Sequence, residues 1–222
     1  MSKKPIIVFE GIEGSGKTLH IKYLSNYLKK KKLKFIKLRE PGGSVNSEKI
    51  RNLILNNKSN FNKKTDLLLY LASRNENVEN LIMKNYQKKI ILIDRFSDST
   101  IAYQHYGMGL DHKLIKLINY YITKKISINL TFLNLVSKKN MQIRLLKRKK
   151  LNRYDKFKMN FYNKVQKGYI KIANMNKKKY RIIDSNKSIS VNKKKIINEV
   201  NKILKWTQIQ NYSQNCTVLI FI

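Results

Sequence analysis

The chain holds a single cysteine, Cys216, in 222 residues. An intramolecular disulfide framework is therefore excluded, and the cysteine usage is that expected of a reducing cytoplasm. Cysteine-built zinc sites are disfavoured as well, because the three histidines, His20, His105 and His112, are scattered without metal-ligand spacing. Long apolar runs are missing. The run Ile6–Phe9 stops at Glu10, too short for a signal peptide, and no stretch approaches the ~20 apolar residues of a membrane span. Acidic residues are scarce, 13 against 48 basic ones, for a net charge of +35. Such a balance attracts phosphate backbones. The excess is lysine spread over every segment, however, whereas a nucleic-acid footprint is a local patch of arginine and aromatics. The expectation is nonspecific adhesion at low salt and no specific nucleic-acid partner.

Scarcity also makes the remaining residues informative. Only eight basic residues are arginine: Arg39, Arg51, Arg74, Arg95, Arg144, Arg148, Arg153 and Arg181. In a chain that uses lysine by default, arginine is expected where a planar fork matters, as at a phosphate or a carbonyl. Five of the thirteen carboxylates, Glu10, Glu13, Glu40, Asp94 and Asp98, fall beside glycine turns or strand ends, with a simple helix-cap role favoured for Asp98.

Apolar strand-like runs recur at Pro5–Phe9, Phe35–Leu38, Ile90–Ile93, Leu130–Leu135 and Arg181–Ile183. Between them, helical spacing appears in Leu67, Leu68, Leu71, Val78, Leu81 and Ile82, then in Leu114–Ile122, then in Ile196–Leu204. This alternation predicts an α/β domain with a five-stranded parallel sheet covered by helices on both faces. Sites in such sheets lie beyond the carboxyl ends of the strands, where Glu10–Thr18, Arg39–Gly43 and Asp94–Asp98 all fall. Glycine is rare too, eight in all, yet three occur in Gly11-Ile12-Glu13-Gly14-Ser15-Gly16-Lys17-Thr18, directly after the first strand. Backbone N–H groups of such a turn, with the helix N-terminus behind them, cradle polyphosphate. Lys17 would reach the β- and γ-phosphates and Thr18 would complete a Mg²⁺ shell, so the chain is expected to bind a nucleoside triphosphate. Asp94 at the third strand end suits the metal or its waters, and Arg95 can bridge donor and acceptor phosphates.

With Gly11–Thr18, Arg39–Gly43, Tyr70–Arg74, Asp94–Gln104 and Arg148–Asp155 in order, residues 5–206 resemble the thymidylate kinase family. The resemblance implies a P-loop nucleoside monophosphate kinase fold with a mobile lid, and conversion of dTMP to dTDP with ATP and Mg²⁺. It implies a homodimer, and a dTMP site made of Glu13, Arg39, Glu40, Arg51, Tyr70, Arg74, Arg95, Thr100, Tyr103 and Gln104. Within it Glu13 would bind the sugar 3′-hydroxyl, Arg51 and Arg95 the monophosphate, and Tyr70 would stack on thymine. Arg74, Thr100 and Gln104 would hold the base, and Tyr103 would exclude a 2′-hydroxyl. Lys17, Arg95, Arg148 and Arg153 would carry the catalytic charge, Arg153 as an arginine finger in the lid. Asn152, Tyr154 and Asp155 depart from the family's aspartate, phenylalanine and glutamate there.

Residues 1–207 are expected to form this domain, with the lid near 146–156. The segment 208–222 is expected to be an apolar extension of unknown role, its last part Asn215–Ile222 either an added edge strand or poorly packed. Alternatives remain: another small P-loop pyrimidine nucleotide or deoxynucleoside kinase, a nucleic-acid binder switched by nucleotide, or an inactive paralogue. For the lid arginines the competing reading is a solvated basic turn.

Overall fold

A computed structural model describes residues 4–86 and 88–217, with side chains as far as residue 205. Five strands, β1 (Ile6–Glu10), β2 (Phe35–Arg39), β3 (Ile90–Asp94), β4 (Leu130–Leu135) and β5 (Tyr180–Asp184), form one sheet in the order β2-β3-β1-β4-β5. All pairings are parallel. The helices are α1 (Lys17–Lys30), α2 (Val45–Leu55), α3 (Lys63–Asn77), α4 (Met83–Asn85), α5 (Ser97–Thr100), α6 (His112–Thr123), α7 (Lys138–Leu146), α8 (Met159–Met175) and α9 (Ile189–Thr217). Two π-helical stretches, Val78–Ile82 and Ile101–Gly107, continue α3 and α5, and a 3₁₀ turn at Arg153–Lys156 precedes α8.

The inner strands β1 and β3 are short continuous apolar runs because both sheet faces are covered there, whereas the edge strands β2 and β5 are partly exposed and carry Lys37 and Arg181. Alternation still sorts them. Ile7, Phe9, Leu92, Phe132 and Ile183 meet Ile21, Leu24 and Leu28 of α1 and Ile196 and Val200 of α9. Ile6, Val8, Ile91 and Ile93 point the other way, onto Leu38, Val78, Ile82 and Phe96. A further cluster joins Leu133 and Ile12 to Tyr103 and to Tyr162, Val165, Tyr169 and Ile172 along one stripe of α8. The α8 stripe can come close to the 101–107 stretch because of Gly168, where a Cβ would sit 2.5 Å from the Tyr106 ring.

The strand register brings the polar clusters to one line. Phe9 and Arg39 both pair with Asp94, so the turns after β1, β2 and β3 start at the same height of the sheet. Arg95 N–H donates to Phe9 O at 2.9 Å and Glu40 N–H to Asp94 O at 2.9 Å, which carries that alignment one residue past the strands.

Helix α9 runs through position 207 to Thr217 without a break, where the sequence reading ends its periodicity. Residues 206–217 contain no glycine or proline, and a helix already nucleated extends at low cost. The expected edge strand begins at Asn215, which is helical here; its last residues, 218–222, lie outside the described residues. No helix among the described residues is long and apolar enough to cross a membrane.

Candidate active site

The phosphate loop is shaped by what its glycines avoid. At Gly11 the backbone has φ 138°, and a Cβ there would lie 2.4 Å from Asn134 O of β4. Gly16, with φ 83°, opens α1 without a side-chain cap, which leaves the first N–H groups of the helix turned to the loop. Lys17 folds back over this turn, its Nζ donating to Gly11 O at 2.9 Å and Ile12 O at 3.0 Å. Burial, with Arg95 nearby, lowers the Lys17 pKa to about 8. Arg144 of α7, one of the eight arginines expected at an anion or a base, instead donates to the backbone carbonyls Gly14 O at 2.8 Å and Ser185 O at 2.6 Å, bracing the loop from outside. His20 is also structural: its Nδ1 lies 2.6 Å from Asn134 Oδ1.

A cavity of about 260 Å³ opens beside the loop. Fourteen residues expected from sequence line it: Glu13, Lys17, Thr18, Arg39, Glu40, Arg51, Tyr70, Arg74, Asp94, Arg95, Thr100, Tyr103, Gln104 and Arg148. They come from the loop, from α1, α2, α3 and α5 with its π-helical continuation, from the ends of β2 and β3, and from the segment before the 3₁₀ turn, so only the fold unites them. Thr18 Oγ1 donates to Asp94 Oδ2 at 3.1 Å, which puts a hydroxyl and a carboxylate side by side at the cavity edge.

Arg95 stands at the centre. Its φ of 68° is the left-handed region, uncommon for a non-glycine residue and found clustered at functional sites. That conformation turns the guanidinium toward the loop, where it donates to Gly11 O at 2.7 Å and to Glu13 Oε1 at 2.9 Å. The other Glu13 oxygen accepts from Tyr103 OH at 2.5 Å. Burial opposes the Arg95 charge, but Tyr103, Glu13, Tyr169 and Asp94 around it raise its pKa above the usual range. Arg51 reaches the cavity from α2 and donates to Pro41 O at 2.5 Å. Arg39 lies at the rim, paired with Glu48 at 3.0 Å and more than half exposed.

The end of the cavity lined by Arg74, Thr100 and Gln104 is the more buried one. Arg74, 1 % exposed, spends its fork on Glu40 at 2.8 Å, Asn119 Oδ1 at 2.6 Å and Phe96 O at 3.1 Å. Burial nonetheless raises the Glu40 pKa, with Arg74 opposing the shift. Among the described residues, three buried polar atoms have no hydrogen-bond partner: Glu40 Oε1, Thr100 Oγ1 and Gln104 Nε2. All three belong to residues lining this one cavity. Unpaired buried polar groups are costly and rare, and their concentration here marks a surface built to meet a polar ligand.

Some residues sit differently from expectation. Arg153, expected over the transferring phosphoryl, lies outside the cavity lining and donates to Asp66 Oδ1 at 2.5 Å and Ile54 O at 3.1 Å. A buried carboxylate within reach of the guanidinium accounts for this turn. Arg148 does line the cavity and is tied to Asp155, which closes a capping box with Asn152. Asp98 is not a helix cap: its carboxylate accepts from Tyr180 OH of β5.

Other site residues had no role assigned from the sequence, although Glu10 stands out there as a strand-end carboxylate and Tyr154 as a departure from the family's lid. Tyr154 roofs the cavity, its ring edge-on to Tyr70 at 5.8 Å. Beneath the site Glu10 accepts from Phe96 N at 2.8 Å, Ser99 Oγ at 2.6 Å and Tyr169 OH at 3.0 Å. Tyr169 OH in turn lies 3.2 Å from Arg95 Nη1. Burial, then the charge of Asp98, pushes the Glu10 pKa up to about 7. No group of three or more His, Cys, Asp or Glu side chains that could hold a metal occurs among the described residues.

Comparison with known proteins agrees with this geometry. The family model for thymidylate kinase matches residues 9–196. A thymidylate kinase of Thermosipho africanus is 40% identical over 185 residues, 82% of this chain and 90% of the relative. One of Kosmotoga olearia is 32% identical over 200 residues, 90% of this chain and 96% of its own length. The crystal structure of thymidylate kinase from Ehrlichia chaffeensis superposes with a TM-score of 0.73 at 31% identity, covering 89% of this chain and 98% of that one. A phosphate loop, a cavity of convergent arginines at the strand ends and a match over most of its length together place the chain in the thymidylate kinase family.

Proposed function

We propose a division of labour for the phosphorylation of dTMP to dTDP, the reaction of this enzyme. The loop Gly11–Thr18 cradles the phosphates of ATP, with Lys17 released from the Gly11 and Ile12 carbonyls to follow them. Arg95 and Arg51 hold the acceptor phosphate, and Arg39 adds charge at the rim. Glu13, braced by Arg95 and Tyr103, keeps lone pairs for the sugar 3′-hydroxyl. Tyr103 and Tyr154 crowd the sugar, and Tyr70 faces the base. Thr100 and Gln104 supply the unpaired groups that read the base edge, while Arg74, locked on Glu40, holds that wall in place.

The observation that carries this reading is the set of orphaned polar atoms in a cavity rimmed by arginines. One end offers hydrogen bonds to a neutral ring, and the other offers charge to a phosphate. Acceptor oxygens of a monophosphate are largely ionised near neutral pH, so in-line attack on the γ-phosphoryl needs no general base. Positioning and charge neutralisation by Lys17, Arg95 and Arg148 are the catalytic contribution. Closure of the segment near 146–156 keeps out water that would hydrolyse ATP.

Thr18 and Asp94 fit Mg²⁺. They offer oxygen donors only, they stand 3.1 Å apart at the cavity edge, and two protein donors suit an ion that takes the rest of its shell from phosphate and water. An ion held there would supply neutralising charge to the transferring phosphoryl. A homodimer is supported by the stripe Leu114, Leu117 and Tyr121 on α6, all at least half exposed, with Leu68 exposed on the adjoining α3. ADP release with ATP, Mg²⁺ and each nucleoside monophosphate in turn tests the assignment. Turnover concentrated on dTMP supports it, and preference for a purine or cytosine monophosphate overturns it.

A further inference from the structure

We infer that Asp66, which lies outside the cavity, is the positioning residue that latches the lid, and that Arg153 acts through it. Asp66 sits in the first turn of α3 and is 4 % exposed. An acid there has an ordinary explanation, since it complements the positive helix terminus. That need is already met: Asn62 caps the helix, accepting from Lys64 N at 3.0 Å and Thr65 N at 2.9 Å. Both Asp66 oxygens are instead taken by the lid. Oδ1 accepts from Arg153 Nη2 at 2.5 Å and Oδ2 from Tyr154 OH at 3.2 Å.

The surrounding contacts point to the same docking. Arg153 Nε donates to Ile54 O at 3.1 Å, its guanidinium lies over the Phe61 ring at 5.7 Å, and Asn57 Nδ2 donates to Leu151 O at 3.0 Å. The 3₁₀ turn is thus fastened to the α2–α3 corner, and Asp66 is the carboxylate in that fastening. Tyr154, held at its hydroxyl by Asp66 and at its backbone carbonyl by Tyr162 OH, presents its ring to the cavity. Arg148 is left free of the latch and is the lid cation that lines the cavity. This inference rests on reading the segment near 146–156 as the lid of a dTMP site.

A double-mutant cycle tests it, using Asp66→Asn, Arg153→Ala and the double variant of the full chain. The readouts are kcat and KM for dTMP and hydrogen exchange of residues 151–157. If Arg153 acts through Asp66, each single variant lowers kcat/KM about 10- to 100-fold, and the double variant is no worse than the poorer single. Asp66→Asn also loses amide protection in 151–157, and Asp66→Glu regains part of it. A kcat loss of about 10³-fold in Arg153→Ala with Asp66→Asn near wild type, the two multiplying in the double variant, overturns the inference. Unchanged protection in Asp66→Asn overturns it as well. Should Asp66→Asn fail to fold, Tyr154→Phe combined with Arg153→Ala removes the same two contacts from the lid side and must lower the same protection. Exchange does not depend on the substrate, so a failed latch is separable from a failed dTMP assignment.

Discussion

Replacing Gln104 by leucine separates the cost of a binding group from its use. The side chain is 1 % exposed and its Nε2 has no partner among the described residues, while the volume of leucine is close to that of glutamine. A buried donor left unpaired costs about 1–3 kcal/mol. Gln104→Leu removes that cost, so the free enzyme is expected to gain about 1 kcal/mol, or about 2–4 °C in Tm for a chain of this size. The dTMP complex pays the opposite way: the base group that met Nε2 is left facing methyl groups, and KM for dTMP rises about 10- to 100-fold. Thermal melts with and without dTMP read both effects. The melting temperature rises without ligand, and the dTMP-induced shift shrinks by the equivalent of about 1.4 kcal/mol per tenfold loss of affinity. A variant that melts well below wild type while keeping its KM would refute the reasoning, because the amide would then belong to the core and not to the ligand.

Other consequences follow from the ionisable groups and from the exposed face. Glu10 has its pKa raised from 4.5 to about 7, so its stabilising contribution is present below about pH 4.5 and is lost as pH rises through about 7. Glu10→Gln should flatten the fall in urea midpoint between those values, and an unchanged slope would show that Glu10 ionises freely. Lys17, lowered from 10.5 to about 8, contributes stability that is present above about pH 10.5 and is lost as pH falls through about 8. Triphosphate should restore its charge, so calorimetry above pH 8 in buffers of different ionisation enthalpy should show proton uptake on ATP binding; none in the wild type would contradict this. Leu117→Glu places a charge in the exposed α6 stripe and should disrupt the proposed dimer in sedimentation equilibrium, whereas a mass equal to that of the wild type would remove the stripe from any interface.

What could be read in the chain divides by the range of the interaction. Strands β1 and β3 were legible because burial on both faces leaves continuous apolar runs, and Gly11–Thr18 because a tight turn, a close approach and a phosphate each need glycine. Arg51, Arg74 and Arg95 stood out against a lysine background, and the cavity brings all three to its wall. Partner choice was not legible. Arg153 faces Asp66 across 87 positions, a pairing that no periodicity encodes. Glu10 reads as the last residue of a buried strand, and only the approach of Tyr169 from α8 makes it part of the site. Asp98 resembles a cap by position, yet Tyr180 from β5 claims its carboxylate. The two π-helical stretches are equally silent, since their residues keep ordinary helical spacing in the sequence.

The central claim is that this cavity accepts a thymine deoxynucleotide through its phosphate as well as its base. The direct measurement is kcat/KM for dTMP against thymidine under the same ATP and Mg²⁺. Two charge-assisted arginine contacts, at about 1.5–3 kcal/mol each, predict a preference for dTMP of about 10²- to 10⁴-fold. Equal or faster turnover of thymidine would contradict the account.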